Sequence, residues 1–363
     1  MVIKDMRFVH MADIHFDSPF TVLASKKDLS NIRRLEQREA FKKTIEYINK
    51  EKIPFLFISG DLYEQEYIRE STIEYINNLF KTIPDTKIFI SPGNHDPFLN
   101  NSFYNTFKWN KNVTIFNGEI KRIELEDVDI YGYGFSDFYC TNSGVDEIEI
   151  KNKEKINILV AHGSLDASKT LDMQYNPINS VKLRKVGFDY VALGHIHKAN
   201  YNNENKFIYP GSLISFGFDE LGEHGILDVE INKNNLEKNI KFIKTDIRIF
   251  EEQEIDISLI NSEEELIEKI NNINFEENKF YKIILTGIKK IEINKTKIIK
   301  LINNKNILKI KNKAEIKYDL EKISKQKNLK GIFIKKLLKK IEENPDEEKI
   351  IKKSIEIGLK MFE

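Results

Sequence analysis

Short, almost wholly apolar runs closed by turn residues recur through the first half of the chain, at Arg7–Met11, Pro54–Ser59 and Lys87–Ser91. Runs of this kind predict strands buried on both faces. Leu29–Lys50 and Arg69–Ile83 lie between them and are long enough for helices, and Ile73, Ile76, Leu79 and Phe80 stand at helical spacing on one face. The repeated order of strand, loop and helix predicts a sheet with a parallel core and helices covering it. From Val113 to Phe135 the pattern changes to short strands with turns at Asn117-Gly118 and Gly132, which predicts an antiparallel patch. Ile156–Ala161 and Asp189–Leu193 read as two more buried strands. Phe207–Tyr209 and Gly225–Ile231 then close the sheet system.

Near residue 245 the pattern shifts. Strand-like runs (Phe280–Leu285, Ile307–Lys311) now alternate with helix-like ones (Glu263–Asn271, Lys295–Ile302), as in a small α+β module. Beyond Asp319 the chain reads as helical. Ile334, Leu337, Leu338 and Ile341 form one apolar stripe, and Ile351, Ile355, Leu359 and Phe362 form another. Asn344-Pro345-Asp346-Glu347 separates them with a capping residue, a proline and first-turn acids. The expected organisation is a main domain over 1–245, a capping module over 246–318 and a helical tail over 319–363. Because a hairpin of two helices buries little by itself, the stripes are expected to receive a partner's helices.

Composition narrows the class. Apolar residues make up 40% of the 363 and aromatics 11%, enough for a sizeable core and against disorder. The apolar runs are all shorter than about 18 residues, which excludes a spanning helix of the usual kind. With no secretory layout at the N-terminus and a single cysteine, Cys140, a reducing cytoplasm is the expected location. Charge cancels overall, 57 basic against 57 acidic side chains, yet it is divided along the chain. Residues 289–363 carry 22 lysines and 11 acids, whereas residues 1–288 carry 35 basic and 46 acidic groups.

The chemistry stands at the strand ends. Asp13-Ile14-His15 follows the first strand, Gly60-Asp61 the second and Gly93-Asn94-His95-Asp96 the third. His162-Gly163 follows the fourth and Gly194-His195-Ile196-His197 the fifth. In open α/β sheets ligands bind beyond the carboxyl ends of the strands. Five of the seven histidines stand at these positions. Imidazole nitrogen with carboxylate and amide oxygen, without thiolate, suits Mn²⁺, Fe²⁺ or Zn²⁺. Seven donors (Asp13, His15, Asp61, Asn94, His162, His195 and His197) are too many for one ion and fit two, held roughly 3.5–4 Å apart.

The ordered set D-x-H, GD, GNHD, H-G and GHxH resembles the calcineurin-like metallophosphoesterase superfamily over roughly residues 6–245. Within it, Gly194-His195-Ile196-His197-Lys198 followed by Tyr209-Pro210-Gly211-Ser212 resembles the SbcD-type DNA-repair exonuclease group. Ala12–Phe20 and Ser354–Leu359 are most similar to its YhaO-like bacterial branch. The resemblance implies an α/β fold: a two-sheet sandwich flanked by helices. It further implies that Asp13, His15, Asp61 and His197 hold one metal, and that Asp61, Asn94, His162 and His195 hold the other, with Asp61 bridging. The implied activity is a nuclease, a Mn²⁺-dependent phosphodiesterase acting on DNA by hydroxide attack in line at phosphorus. The implied partners are a second copy of the chain and an SbcC-type coiled-coil ATPase.

His95 lies outside the ligand count and is expected to protonate the leaving oxygen or to stabilise the charge of the pentavalent phosphorus, with Asp96 orienting its ring. Glu64 departs from the nuclease pattern, which often has histidine three positions after the GD aspartate. His10 reads as a core histidine and His224 as an exposed turn residue. Asp17 and Ser18, like Tyr209 to Ser212, are either substrate contacts or plain turns. The competing activities are a small-molecule or nucleotide phosphoesterase and, in another class, a catalytically idle scaffold.

Overall fold

Two stacked sheets account for the continuous apolar runs, because the central strands bury both of their faces. The computed structural model describes residues 5–23, 27–167, 172–316 and 318–362. The first sheet runs in the order Lys238–Lys244, Gly225–Ile231, Met6–Met11, Phe55–Ile58, Lys87–Ile90, Val113–Ile115. Met6–Met11, Phe55–Ile58, Lys87–Ile90 and Val113–Ile115 pair in parallel, with Val9 opposite Leu56 and Leu56 opposite Ile88. The second sheet runs Phe207–Ile208, Tyr190–Gly194, Ile156–His162, Val128–Tyr133, Lys121–Glu124.

Side-chain alternation divides each strand between two cores. Phe8, Phe57 and Phe89 of the first sheet meet Ile130, Ile158, Val160 and Tyr190 of the second in one core. Val9, Leu56, Ile58 and Ile88 point the other way, onto Phe41 and Ile45 of the helix Lys27–Glu51 and Ile73, Ile76 and Phe80 of the helix Glu70–Lys81. Tyr131, Leu159, Val191 and Leu193 form the outer core of the second sheet with Leu183 and Phe188. His10 lies fully buried among these layers, its ring nitrogens 2.9 Å from Tyr190 Oη and 3.1 Å from Ser59 Oγ. It is a core histidine, as its place within a strand predicts.

The stretch expected to be antiparallel is mostly parallel. Val113–Ile115 extends the first sheet beside Lys87–Ile90, and Val128–Tyr133 lies parallel to Ile156–His162 in the second. Only Lys121–Glu124 pairs antiparallel, with Val128–Tyr133. The turn residues at 117–118 mark the passage from one sheet to the other, which a local pattern cannot distinguish from a hairpin turn.

The chain forms two compact units. One comprises residues 1–252 with 275–282 and 306–308, and the other 253–274, 283–305 and 309–363. In the first, Arg33 is fully buried and fastens the long helix to the end of the sandwich. Its guanidinium grips Asp246 at 2.7 and 2.8 Å, Glu36 at 3.0 Å and the Ser215 carbonyl at 2.6 Å. The second unit carries the helices Glu263–Asn271, Lys295–Leu301, Leu329–Glu343 and Glu348–Lys360. Here the two apolar stripes meet each other. Ile334, Ile351, Ile355 and Leu359 are buried together, with Leu337, Leu338 and Ile341 packed against them. The stripes thus pack in large part on each other within the hairpin, with Phe362 left 40% exposed. Phe333 and Phe362 add a ring contact at 5.8 Å. No helix among the described residues is long and apolar enough to cross a membrane.

Candidate metal centre

Five strands end on one edge of the sandwich, three from the first sheet and two from the second. Met6–Met11 leads to Asp13 and His15, Phe55–Ile58 to Asp61, and Lys87–Ile90 to Asn94 and His95. Ile156–His162 finishes on His162, and Tyr190–Gly194 leads to His195 and His197. The backbone there is strained. Asp13, His15, Asp61 and His195 have φ of 52°, 50°, 52° and 101°, conformations that cost a non-glycine residue of order 1–3 kcal/mol and concentrate at functional sites. Cross-links between the loops hold them in place: Asp13 N donates to Gly60 O at 3.1 Å, and His15 N to Asp61 O at 2.8 Å. A Cβ on Gly60 would overlap the His162 imidazole, and one on Gly93 the Asp61 carboxylate, so glycine is needed at both.

The side chains of these residues converge. Ligand atoms of Asp13, His15 and His197 lie within 4.8 Å of one another, as do those of Asp13, Asp61 and His162. Asp61 reaches both sides, 3.6 Å from His15 and 3.3 Å from His162. Asn94 Oδ1 is 3.0 Å from His162 Nε2. The His195 ring packs edge-on to His162 with centroids 5.3 Å apart, while its backbone N donates to Asp13 at 3.0 Å.

Asp13 and Asp61 are buried carboxylates whose ion pairs, among the described residues, are with imidazoles rather than with lysine or arginine. Burial raises the Asp13 pKa although His197, His162 and His15 oppose it. Burial also opposes charge on Asp61, but His162, His15 and His95 outweigh it and hold that carboxyl well below the usual range. Burial pushes His162 and His197 down, yet Asp61 beside the one and Glu220 beside the other outweigh it and raise each to about 9. A buried anionic pocket furnished with nitrogen and oxygen donors is suited to divalent cations. These residues form a candidate binuclear metal site.

Two acids position the histidines. Glu64 places one oxygen 2.8 Å from His15 Nδ1 and the other 2.8 Å from His95 Nδ1. Burial opposes charge on Glu64, but the bonds from His15 and His95 prevail and hold its pKa at about 2. Burial likewise disfavours His95 as a cation, and Glu64 overcomes this and raises it to about 9. Glu220 takes His197 Nδ1 at 2.7 Å and is itself held by Ser212 Oγ at 3.2 Å and Phe216 N at 3.0 Å.

Asp96 does not orient His95. Its carboxylate is buried and accepts from the backbone N–H groups of Gly93, Asp61 and Leu62 and from Tyr104 Oη, so it braces the loops beneath the site. Burial, with Asp61 adding to it, raises its pKa to about 7. His224 is not an exposed turn residue either. It is buried, with Nδ1 2.9 Å from Ser212 Oγ and Nε2 3.1 Å from the Glu220 carbonyl oxygen. Asp17 accepts from Thr72 Oγ1 at 2.7 Å and Arg69 N at 3.2 Å, fastening the start of the helix Glu70–Lys81. Tyr209 is buried, its hydroxyl donating to Gly163 O at 3.0 Å. Ser18 lines the cleft that opens onto the site, a space of about 560 Å³. His15, Asn94, His95, His197, Glu64 and Glu66 also line it. Nothing in the sequence separates Glu220 from its neighbours Asp219 and Glu223, so its role was not legible there.

Residues 6–199 match the calcineurin-like phosphoesterase family, and the chain belongs to it. An uncharacterised metallophosphoesterase, YhaO, of Bacillus subtilis (strain 168) is 24% identical over 268 residues, 71% of this chain and 64% of that protein. The SbcD component of the nuclease SbcCD of Staphylococcus epidermidis is 28% identical over 270 residues, 63% of this chain and 67% of that protein. The chain thus spans about two thirds of the length of each. Among solved structures, a dimetal phosphatase from Danio rerio aligns with a TM-score of 0.38 at 8% identity, covering 67% of this chain and 97% of that one.

Proposed function

We propose that the chain is a Mn²⁺-dependent phosphodiesterase acting on DNA, in DNA repair, as one component of an assembly with a coiled-coil ATPase of SbcC type. The observation that carries the hydrolytic part is His95. It lines the cleft beside the convergent donors, lies outside the two groups built on Asp13, and shares Glu64 with His15 in a third cluster of donor atoms, where Glu64 fixes its Nδ1. In this reading Asp13, His15, Asp61 and His197 hold one ion, and Asp61, Asn94, His162 and His195 the other. When bound, two divalent ions supply an activated water and neutralise charge on the phosphoryl oxygens. His95 donates its Nε2 proton to the leaving oxygen, and the Glu64 carboxylate on Nδ1 keeps the ring charged and correctly turned. The distant similarity to the SbcD component of SbcCD supports the nuclease and partner parts. A homodimer belongs to the same proposal.

A second reading, a nucleotide or other small-molecule phosphoesterase, is favoured by the cleft itself, since none of its described lining residues is lysine or arginine. Purified protein given Mn²⁺ with linear DNA, and separately with bis-p-nitrophenyl phosphate, decides between them. Cleavage of both supports the DNA reading; cleavage of the small diester alone supports the second. Cleavage of neither at any Mn²⁺ concentration contradicts both.

A further inference from the structure

We propose that the aromatic side chains lining the mouth of this cleft form a stacking subsite for one unpaired nucleobase beside the phosphodiester to be cut. The proposal rests on the reading of the centre as a phosphodiesterase and names what the cleft recognises next to phosphorus.

Three of the lining residues are large aromatics left open to solvent: Tyr67 at 51% exposure, Phe138 at 38% and Tyr139 at 59%. Single exposed aromatics are ordinary, but three around one cleft mark a binding surface. Behind them the rings continue inward in two rows. Tyr139 lies 6.1 Å from Tyr175 with planes 30° apart, and Tyr175 lies 5.3 Å from the His195 ring at 37°. Phe20 and Phe216 are stacked at 5.4 Å with planes 10° apart, and Phe216 packs on His15 at 5.4 Å and His197 at 5.9 Å. A flat group held against either row therefore lies next to the candidate metal ligands.

The described lining of the cleft offers no row of cations, the other common way of holding nucleic acid. Its ionisable lining consists of His15, His95, His197, Glu64 and Glu66, with no lysine or arginine among the described residues to follow a run of phosphates. Away from its ends a duplex offers phosphates outside and keeps its base faces stacked within, so its interior presents nothing for these rings. An unpaired base presents a free π-face, and stacking on an aromatic side chain tolerates any base. One phosphodiester at the metal centre and one flat base on the rim fit the space of about 560 Å³. The occupant is thus a nucleotide in an unpaired strand.

The test uses the full-length protein and short labelled strands with cleavage-resistant phosphorothioate linkages, followed by fluorescence anisotropy. The strands are a base-bearing single strand, an abasic strand of equal length and an end-capped duplex. The base-bearing strand should bind about 5- to 150-fold more tightly than the abasic one, the range that one stacked base confers, and in salt high enough to screen the lysines of 289–363 the end-capped duplex should bind no better than the abasic strand. Tyr67→Ala combined with Tyr139→Ala should bring the base-bearing strand to the abasic level at an unchanged thermal midpoint, while Tyr139→Phe should retain the preference. Equal affinity for base-bearing and abasic strands in the unsubstituted protein, or a preference that survives the double alanine variant, would overturn the proposal. A base preference without cleavage of any unmodified strand would uphold the subsite and contradict the DNA-hydrolase reading, so the two fail separately.

Discussion

Glu64 joins two histidines with one carboxylate: both line the cleft, but only His15 also clusters with Asp13 and His197. His95→Ala should therefore retain its metal, by elemental analysis, and lose about 10²–10⁴-fold in turnover, the usual contribution of a general acid. Loss of metal, or an unchanged rate, would show that the role is misassigned. Glu220 supports His197 from behind, and Glu220→Gln should weaken Mn²⁺ binding by about 10- to 100-fold while leaving the fold intact, measurable by calorimetric titration. Metal binding should also release protons. His162 and His197 are raised to about 9 in the metal-free centre and must be neutral to act as ligands. Affinity should accordingly rise with pH up to about 9 and fall below it. A pH-independent affinity across 6.5 to 9 would contradict that pairing. At this scale the candidate ligands were legible because they are chemistry-bearing residues placed directly after buried strands. The supporting acids were not. One loop carboxylate resembles another until the fold places Glu64 against two rings, Glu220 against a third, and Asp96 under the backbone.

Among the elements, the strands were the most legible, since burial on both faces leaves an apolar run with no alternation. Their neighbours were not, because a turn such as Asn117-Gly118 does not state which sheet the next strand joins. His10 tests the packing of these layers. Burial lowers its pKa from 6.5 to about 3, so the unfolded chain takes up the proton first. The stability this protects is complete above pH 6.5 and is lost as pH falls from 6.5 toward 3, at up to about 1.4 kcal/mol per pH unit. His10→Gln should flatten that part of the acid limb in denaturant titrations; an identical limb would place the acid sensitivity elsewhere. Asp246→Ala leaves the Arg33 charge buried without its main partner, and should cost about 3–5 kcal/mol. In the helical hairpin, Leu359→Asp places a charge among Ile334, Ile351 and Ile355. Loss of helical signal, beyond any loss of partner binding, is expected.

For the whole molecule, the division of charge bears on the proposed action on DNA. The acidic surplus of residues 1–288 disfavours a polyanion, whereas the lysines of 289–363 favour one. DNA affinity in the full chain should therefore fall steeply with salt, and substituting glutamine for Lys335, Lys336, Lys339 and Lys340 should lower both affinity and salt slope. Equal slopes would assign DNA contact to the acidic part. The fold and the location of the centre came from strand order and residue type. The aromatic cleft was not legible, because Tyr67, Tyr139 and Tyr175 come together only after the chain has folded. The central claim is that two divalent ions at these residues hydrolyse a phosphodiester. It is tested most directly by titrating metal-stripped protein with Mn²⁺ while following bis-p-nitrophenyl phosphate, beside Asp61→Asn. Activity should saturate at two ions per chain, and Asp61→Asn should lose at least one ion and all turnover. Hydrolysis by the stripped protein, or undiminished turnover in Asp61→Asn, would contradict it.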